Sequence, residues 1–245
     1  MGEPTQLEEH LQRRQEERRQ NIKQQRVWVG CCATKLGYGA LPLELYQGDL
    51  FKLHVRYALL RYGFVGAVLS AKHDVLDDLW SPIEPYDERV APSGPAHREW
   101  SARIAAYFDD DDSGGDGEIV VLAGAPYYSG WCAEAQRRGW TVTAPFAGMR
   151  IGERKRALIH ACEEIKQARA SAIKAVKNAG LRIIEDEGHY WRRYDVFNGW
   201  TKVYGADSAS DLIEAVRSAG VELEPATRQL EIPALTSCAS EVAHG

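Results

Sequence analysis

Cysteine is scarce and scattered in this chain: Cys31, Cys32, Cys132, Cys162 and Cys238 form no CxxC pair and leave an odd count. That pattern excludes the disulfide framework of a small secreted domain and argues against a structural zinc site. No run approaches the roughly 18 apolar residues that span a bilayer. The charged N-terminus carries no apolar core of a secretory signal. The expectation is a soluble, cytoplasmic protein with no membrane partner. The phosphate loops GxxxxGK[ST] and GxGxxG are missing, as is HExxH. A Walker ATPase, a Rossmann dehydrogenase and a zincin are thereby disfavoured, and neither cofactor nor metal is expected. A positive surface is also lacking, since the net charge is −5. Any nucleic-acid partner would have to meet a local cluster of Lys and Arg.

What is present suits an ordinary globular protein: 245 residues, 44% of them hydrophobic and 27% charged. That is enough apolar material for one α/β domain and an appendage without staples. Residues 1–26 read as a charged helix opened by a Thr5/Glu8 capping box. Short apolar runs at Val27–Cys31, Gly66–Ser70, Ile119–Ala123 and Thr141–Ala144 read as buried strands. Helical patterns fall between them at 50–60, 96–108 and 129–138, and a long one follows at 154–179. Strands alternating with helices predict a three-layer α/β/α domain over 27–179 with a mainly parallel sheet. The acidic, Gly-rich stretch Asp109–Gly117 lacks EF-hand spacing and reads as a solvated loop. From 180 to 225 the composition shifts. Asn198-Gly199 between alternating runs signals a hairpin, and Ser208 and Gly220 bracket a helix, giving a ββα-like appendage. Residues 226–245 read as a flexible tail.

In α/β sheets, sites form where the carboxyl ends of strands meet loops. Three loops hold that position here: Cys31–Tyr46, Ser70–Asp87 and Ala123–Gly130. The second is the densest in titrating groups, with Ser70, Lys72, His73, Glu84, Tyr86 and Asp87. Pro85 keeps Glu84 and Asp87 on an extended segment, so the two carboxylates tend towards opposite faces. Cys31, at a strand end, reads as a buried thiol rather than a nucleophile. Lys35 can cradle phosphate, act as an amine nucleophile, or form a surface ion pair.

The order of these motifs carries a resemblance. Cys31…Lys35, Leu45-Tyr46, Leu69-Ser70-Ala71-Lys72-His73, Glu84-Pro85-Tyr86-Asp87, Val121-Leu122-Ala123-Gly124…Tyr127 and Pro145…Gly148…Ile151-Gly152 resemble a bacterial and phage family of uncharacterised domains over about 27–162. One departure is Asp74, where the family has Gly. The Ser70…Tyr86 element is similar to the peroxide-stress YaaA family, regarded as DNA binders. More distantly, the arrangement resembles the uracil-DNA-glycosylase-type fold, the core of archaeosine synthases, and antiphage glycosylases that excise glucosylated hydroxymethylcytosine.

The resemblance implies a DNA glycosylase acting on modified phage DNA, in antiviral defence, by flipping a base into a pocket. Its implied catalytic groups are Asp87, with Glu84 as the other carboxylate, together with Lys72, His73 and Lys35. Cys31, Tyr46, Ser70, Tyr86 and Tyr127 would line the base pocket. Cations that suit DNA cluster at Arg150, Arg154, Lys155 and Arg156, and again at Arg192, Arg193 and Lys202 beside Trp191 and Trp200. A non-catalytic DNA-binding module and a base-modifying transferase with a lysine nucleophile stay open as alternatives.

Overall fold

A computed structural model describes residues 5–20, 24–108, 117–187, 192–198 and 201–223. Along the chain come α1 (Gln6–Gln20), β1 (Gln24–Gly30), α2 (Pro42–Leu45), α3 (Asp49–Arg61), β2 (Ala67–Ser70), β3 (Asp74–Leu76), α4 (Pro95–Ala106) and β4 (Gly117–Leu122). There follow α5 (Cys132–Arg137), β5 (Thr141–Thr143), α6 (Ile151–Asn178), β6 (Arg182–Glu187), β7 (Arg192–Asn198), β8 (Thr201–Ala206) and α7 (Ala209–Ser218). These elements group into two units.

The larger unit, within 23–55 and 65–157, is built on a five-stranded sheet of order β3-β2-β1-β4-β5. β1 runs parallel to β2 and β4, and β4 parallel to β5. The two-residue period of the strands sorts their side chains by face. Trp28, Ala67, Leu69, Ile119, Val121 and Val142 share one apolar cluster with Trp100 and Ile104 of α4 and Cys132 and Ala135 of α5. Val27, Val29, Val68, Val120 and Leu122, on the alternate positions, are as completely buried. A sheet covered on both faces is why these strands read as unbroken apolar runs. At about 1.5–3 kcal/mol for each large side chain buried, this core is the main stabilising term. The mainly parallel α/β architecture is the one expected.

One strand of the five-stranded sheet was not legible as such. β3 has three residues and folds back antiparallel on β2, pairing Ser70 with Asp74. Asp74 makes the turn with φ of +56°. This is the left-handed region that glycine enters freely and that Asp tolerates better than most residues. Arg103 holds the Asp74 carboxylate, its Nε donating to both oxygens at 3.0 and 2.9 Å.

The smaller unit comprises the described residues within 1–22, 56–64 and 158–230. Its sheet is antiparallel, of order β6-β7-β8. The expected hairpin is β7–β8, closing at the Asn198–Thr201 pair. β6 adds a third strand, so the appendage is βββα rather than ββα; Arg182-Ile183-Ile184-Glu185-Asp186-Glu187 lacks the alternation that would have marked it. Ser208 Oγ caps α7 by accepting the Asp211 amide at 3.0 Å, and Gly220 follows with φ of +77°. α1 packs on β8 and α7 through buried Leu7 and Leu11. Only half of its capping box forms. The Glu8 amide donates to Thr5 Oγ1, whereas the Glu8 carboxylate accepts Asn198 Nδ2 at 2.8 and 2.9 Å. The acidic stretch 109–116 and the tail 226–245 lie outside the described residues. No described helix is long and apolar enough to cross a membrane.

Candidate functional site

Parallel pairing brings the ends of β1, β2 and β4 to one edge of the larger unit, and their loops meet there. β-bridges hold two of these loops in place. Lys35 pairs with Tyr46 inside the first, and Ala40 pairs with Ile83 to tie the first to the second. The third loop approaches β1 at Gly30, where a methyl group would lie 2.7 Å from Ala123 Cβ and 3.2 Å from the Tyr127 ring. Only glycine allows that approach.

Tyr86 is the centre of the cluster. Its hydroxyl lies 2.7 Å from Ser70 Oγ and 2.6 Å from the Tyr46 hydroxyl, and all three residues are buried. Ser70 Oγ also accepts the amides of Lys72 (3.2 Å) and His73 (2.9 Å). Those amides occupy both lone pairs of the serine oxygen, which leaves its proton to donate to Tyr86. Trp100 Nε1 donates to the Ser70 carbonyl at 2.8 Å, fixing the strand end from α4. Cations surround the ring: Lys35 Nζ lies 4.1 Å and Lys72 Nζ 5.7 Å from its centroid, both within cation–π range. His73 meets the same ring edge-on at 5.4 Å, and its Nε2 is buried without a hydrogen-bond partner. Tyr127 forms the third wall, donating to the Cys31 carbonyl at 2.8 Å with its oxygen 3.5 Å from Cys31 Sγ.

The electrostatics assign roles. Burial pushes the Tyr46 phenol up to about 12 and raises Tyr86 and Tyr127 further, with neighbouring Cys31 adding to both. The three phenols therefore stay protonated and act as donors and walls, not as bases. Burial, then the Lys72 charge, lowers His73, so its imidazole is neutral near pH 7. Burial raises the Cys32 thiol, which donates to the Thr34 carbonyl and accepts the Gly48 amide, as suits an unreactive cysteine.

The two carboxylates part company. The Glu84 oxygen sits where a methyl group on Gly39 would come within 2.7 Å of it. Asp87 is exposed and makes no hydrogen bond or ion pair with the described residues. The cations also divide. Arg150 and Arg156 are exposed, Lys155 pairs with Asp49 at 2.7 Å, and Arg154 is buried. In the smaller unit Arg193 and Lys202 both pair with Asp195, at 3.0 and 2.6 Å, and Arg192 begins β7. Trp191 and Trp200 lie outside the described residues. Sequence reasoning missed Trp100, which carries no local signal because its indole reaches the Ser70 carbonyl 30 residues away in the chain.

The chain belongs to the family of unknown function DUF6884, whose model matches residues 27–160. That span includes all three loops and the five-stranded sheet apart from residues 24–26 of β1. No curated protein and no solved structure matches the chain significantly.

Proposed function

We propose that the chain is a DNA glycosylase that excises a modified nucleobase, with the pocket around Tyr86 receiving the flipped base. The observation that carries this reading is the convergence of Lys35, Lys72 and His73 on the ring of a buried tyrosine at the carboxyl edge of the sheet. Two ammonium groups there suit a nucleotide's phosphate and the negative charge that builds on a departing base. Neutral His73 can donate a hydrogen bond to the base. The protonated tyrosines offer stacking walls and hydrogen bonds to a base edge. Exposed Asp87, beside Tyr86 in the chain, positions water against the sugar carbon and stabilises the cationic sugar as the glycosidic bond breaks.

The likeness of the Ser70…Tyr86 element to the YaaA family, and of the arrangement to uracil-DNA-glycosylase-type proteins, supports action on DNA. Antiviral defence in the cytoplasm, against phage DNA bearing glucosylated hydroxymethylcytosine, is the physiological form of the proposal.

The test is incubation with duplex and single-stranded DNA carrying cytosine, hydroxymethylcytosine or glucosylated hydroxymethylcytosine, followed by alkali. Strand cleavage at the modified base is expected, with loss in Asp87→Asn. Salt-sensitive binding without abasic sites on any substrate would sink the proposal and leave a DNA-binding module. A borohydride-trapped adduct lost in Lys35→Ala or Lys72→Ala would point to a lysine nucleophile, in a base-modifying transferase or in a glycosylase with lyase activity.

A further inference from the structure

The three-stranded sheet of the smaller unit has two edges, and the chain treats them differently. At β8, α1 packs alongside and Gln15 Oε1 accepts the Gly205 amide at 2.8 Å. At β6, the one sheet neighbour is β7. Among the described residues no further backbone hydrogen bond reaches this strand from its outer side. An open edge presents a row of unpaired amides and carbonyls, which is a template for another strand.

The sequence of β6 says which strand fits. Its two-residue period sends Arg182, Ile184 and Asp186 to one face. All three are exposed, Ile184 to 42%. Arg182 lies over the ring of Phe197, its cross-strand neighbour on β7, at 4.8 Å, which keeps the guanidinium on this face. Asp186 stands opposite Arg193 of β7, but Arg193 donates to Asp195 at 3.0 Å. On the other face, Glu185 pairs with Arg169 of α6 at 3.1 Å.

A two-fold axis through Ile184 relates β6 to an antiparallel copy of itself. In that register Ile184 meets Ile184 of the second copy, and Arg182 meets Asp186 at both ends. Apolar and opposite-charge cross-strand pairs are both stabilising. Charges that guard an edge against pairing set like against like; β6 sets opposite charges face to face. On the inner face Ile183 meets Glu185, whose charge Arg169 already offsets.

We propose that β6 pairs antiparallel with β6 of a second copy of this chain, joining the two small sheets into one of six strands. The interface is isologous, as a closed two-fold dimer requires. So short a pairing buries less than the roughly 1,200 Å² of a stable specific interface, so the dimer is weak, with a dissociation constant between about 1 μM and 1 mM. The pairing assumes nothing about base excision, so it can stand where that reading fails.

The experiment is sedimentation equilibrium of the full chain from micromolar to millimolar concentration. A monomer–dimer equilibrium is expected, weakened in about 1 M salt, where the screening length falls to about 3 Å. Arg182→Asp would set acid against acid at both ends of the pairing, and Asp186→Arg base against base. Each should weaken self-association at least about tenfold. An equimolar mixture of the two variants should dimerise again, because each supplies the charge that the other lacks. Ile184→Lys, at an exposed position, should also weaken the dimer by setting two ammonium groups together on the axis. A wild-type chain that stays monomeric throughout would overturn the pairing. A dimer that all three variants leave intact would overturn it too, and would place the contact on another surface. Charge variants that stay monomeric when mixed would overturn the register.

Discussion

The Tyr86 hydroxyl sits 2.7 Å from Ser70 Oγ, on the same oxygen that receives the Lys72 and His73 amides. One serine thus shapes the turn after β2 and also anchors the tyrosine around which the cations gather. Ser70→Ala should leave two amides and a buried phenol without their partner, at a cost of about 1–3 kcal/mol. Urea melts will measure it. Tyr86→Phe should cost a similar amount, and the Tyr46→Phe/Tyr86→Phe double variant less than the two single changes added, because it removes both members of a pair. Strict additivity would contradict the hydroxyl chain.

His54 predicts how stability follows pH. Burial, then the Arg154 charge, pushes its pKa down to about 3. An unfolded histidine titrates near 6.5. Below that pH the unfolded chain takes up a proton that the native protein refuses. Stability present above about pH 6.5 is therefore lost progressively as the pH falls towards 3. Between pH 7 and 4.5 this one group should cost about 2–3 kcal/mol. Denaturant melts at both values should show that loss reduced in His54→Gln; equal losses in the two proteins would refute it.

Asp74 holds φ of +56°. Asp74→Ala should destabilise by about 1–2 kcal/mol, because alanine meets the full left-handed penalty and gives up the Arg103 contact. Asp74→Gly should cost clearly less, since glycine enters this conformation freely and forfeits only a partly exposed ion pair. Thermal melts of the two variants side by side decide it.

Gly30 is held against the third loop. Gly30→Ala would bring a methyl group to 2.7 Å of Ala123 Cβ and 3.2 Å of the Tyr127 ring. The expected result is about 1–3 kcal/mol of destabilisation from overpacking between β1 and β4. Tyr127 should also be displaced, visible as a change in near-ultraviolet circular dichroism. An unchanged tyrosine signal at unchanged stability would show that the approach has slack.

The parallel strands of the larger sheet were legible because burial on both faces demands unbroken apolar runs, as in Val27-Trp28-Val29 and Ile119-Val120-Val121-Leu122. The β7–β8 hairpin was legible in Asn198-Gly199, and the start of α7 in Ser208. β3 and β6 were not: three residues carry no period, and the Glu-rich β6 lacks alternation. The positions of the candidate site on three loops could be read from strand ends. Their convergence could not, since Tyr46, Ser70 and Tyr86 meet across turns of the chain that no local pattern records.

By itself the sequence determined the alternation of strands and helices, the loops that carry polar groups, and the motif order that marks the family. These follow from local periodicity and composition. Only the tertiary structure decided which of the groups meet and which stay apart. It buried Arg154, set Lys35 and Lys72 on the Tyr86 ring, and left Asp87 exposed. Burial and charge pairing depend on what the rest of the chain brings alongside, and that is a property of packing rather than of spacing.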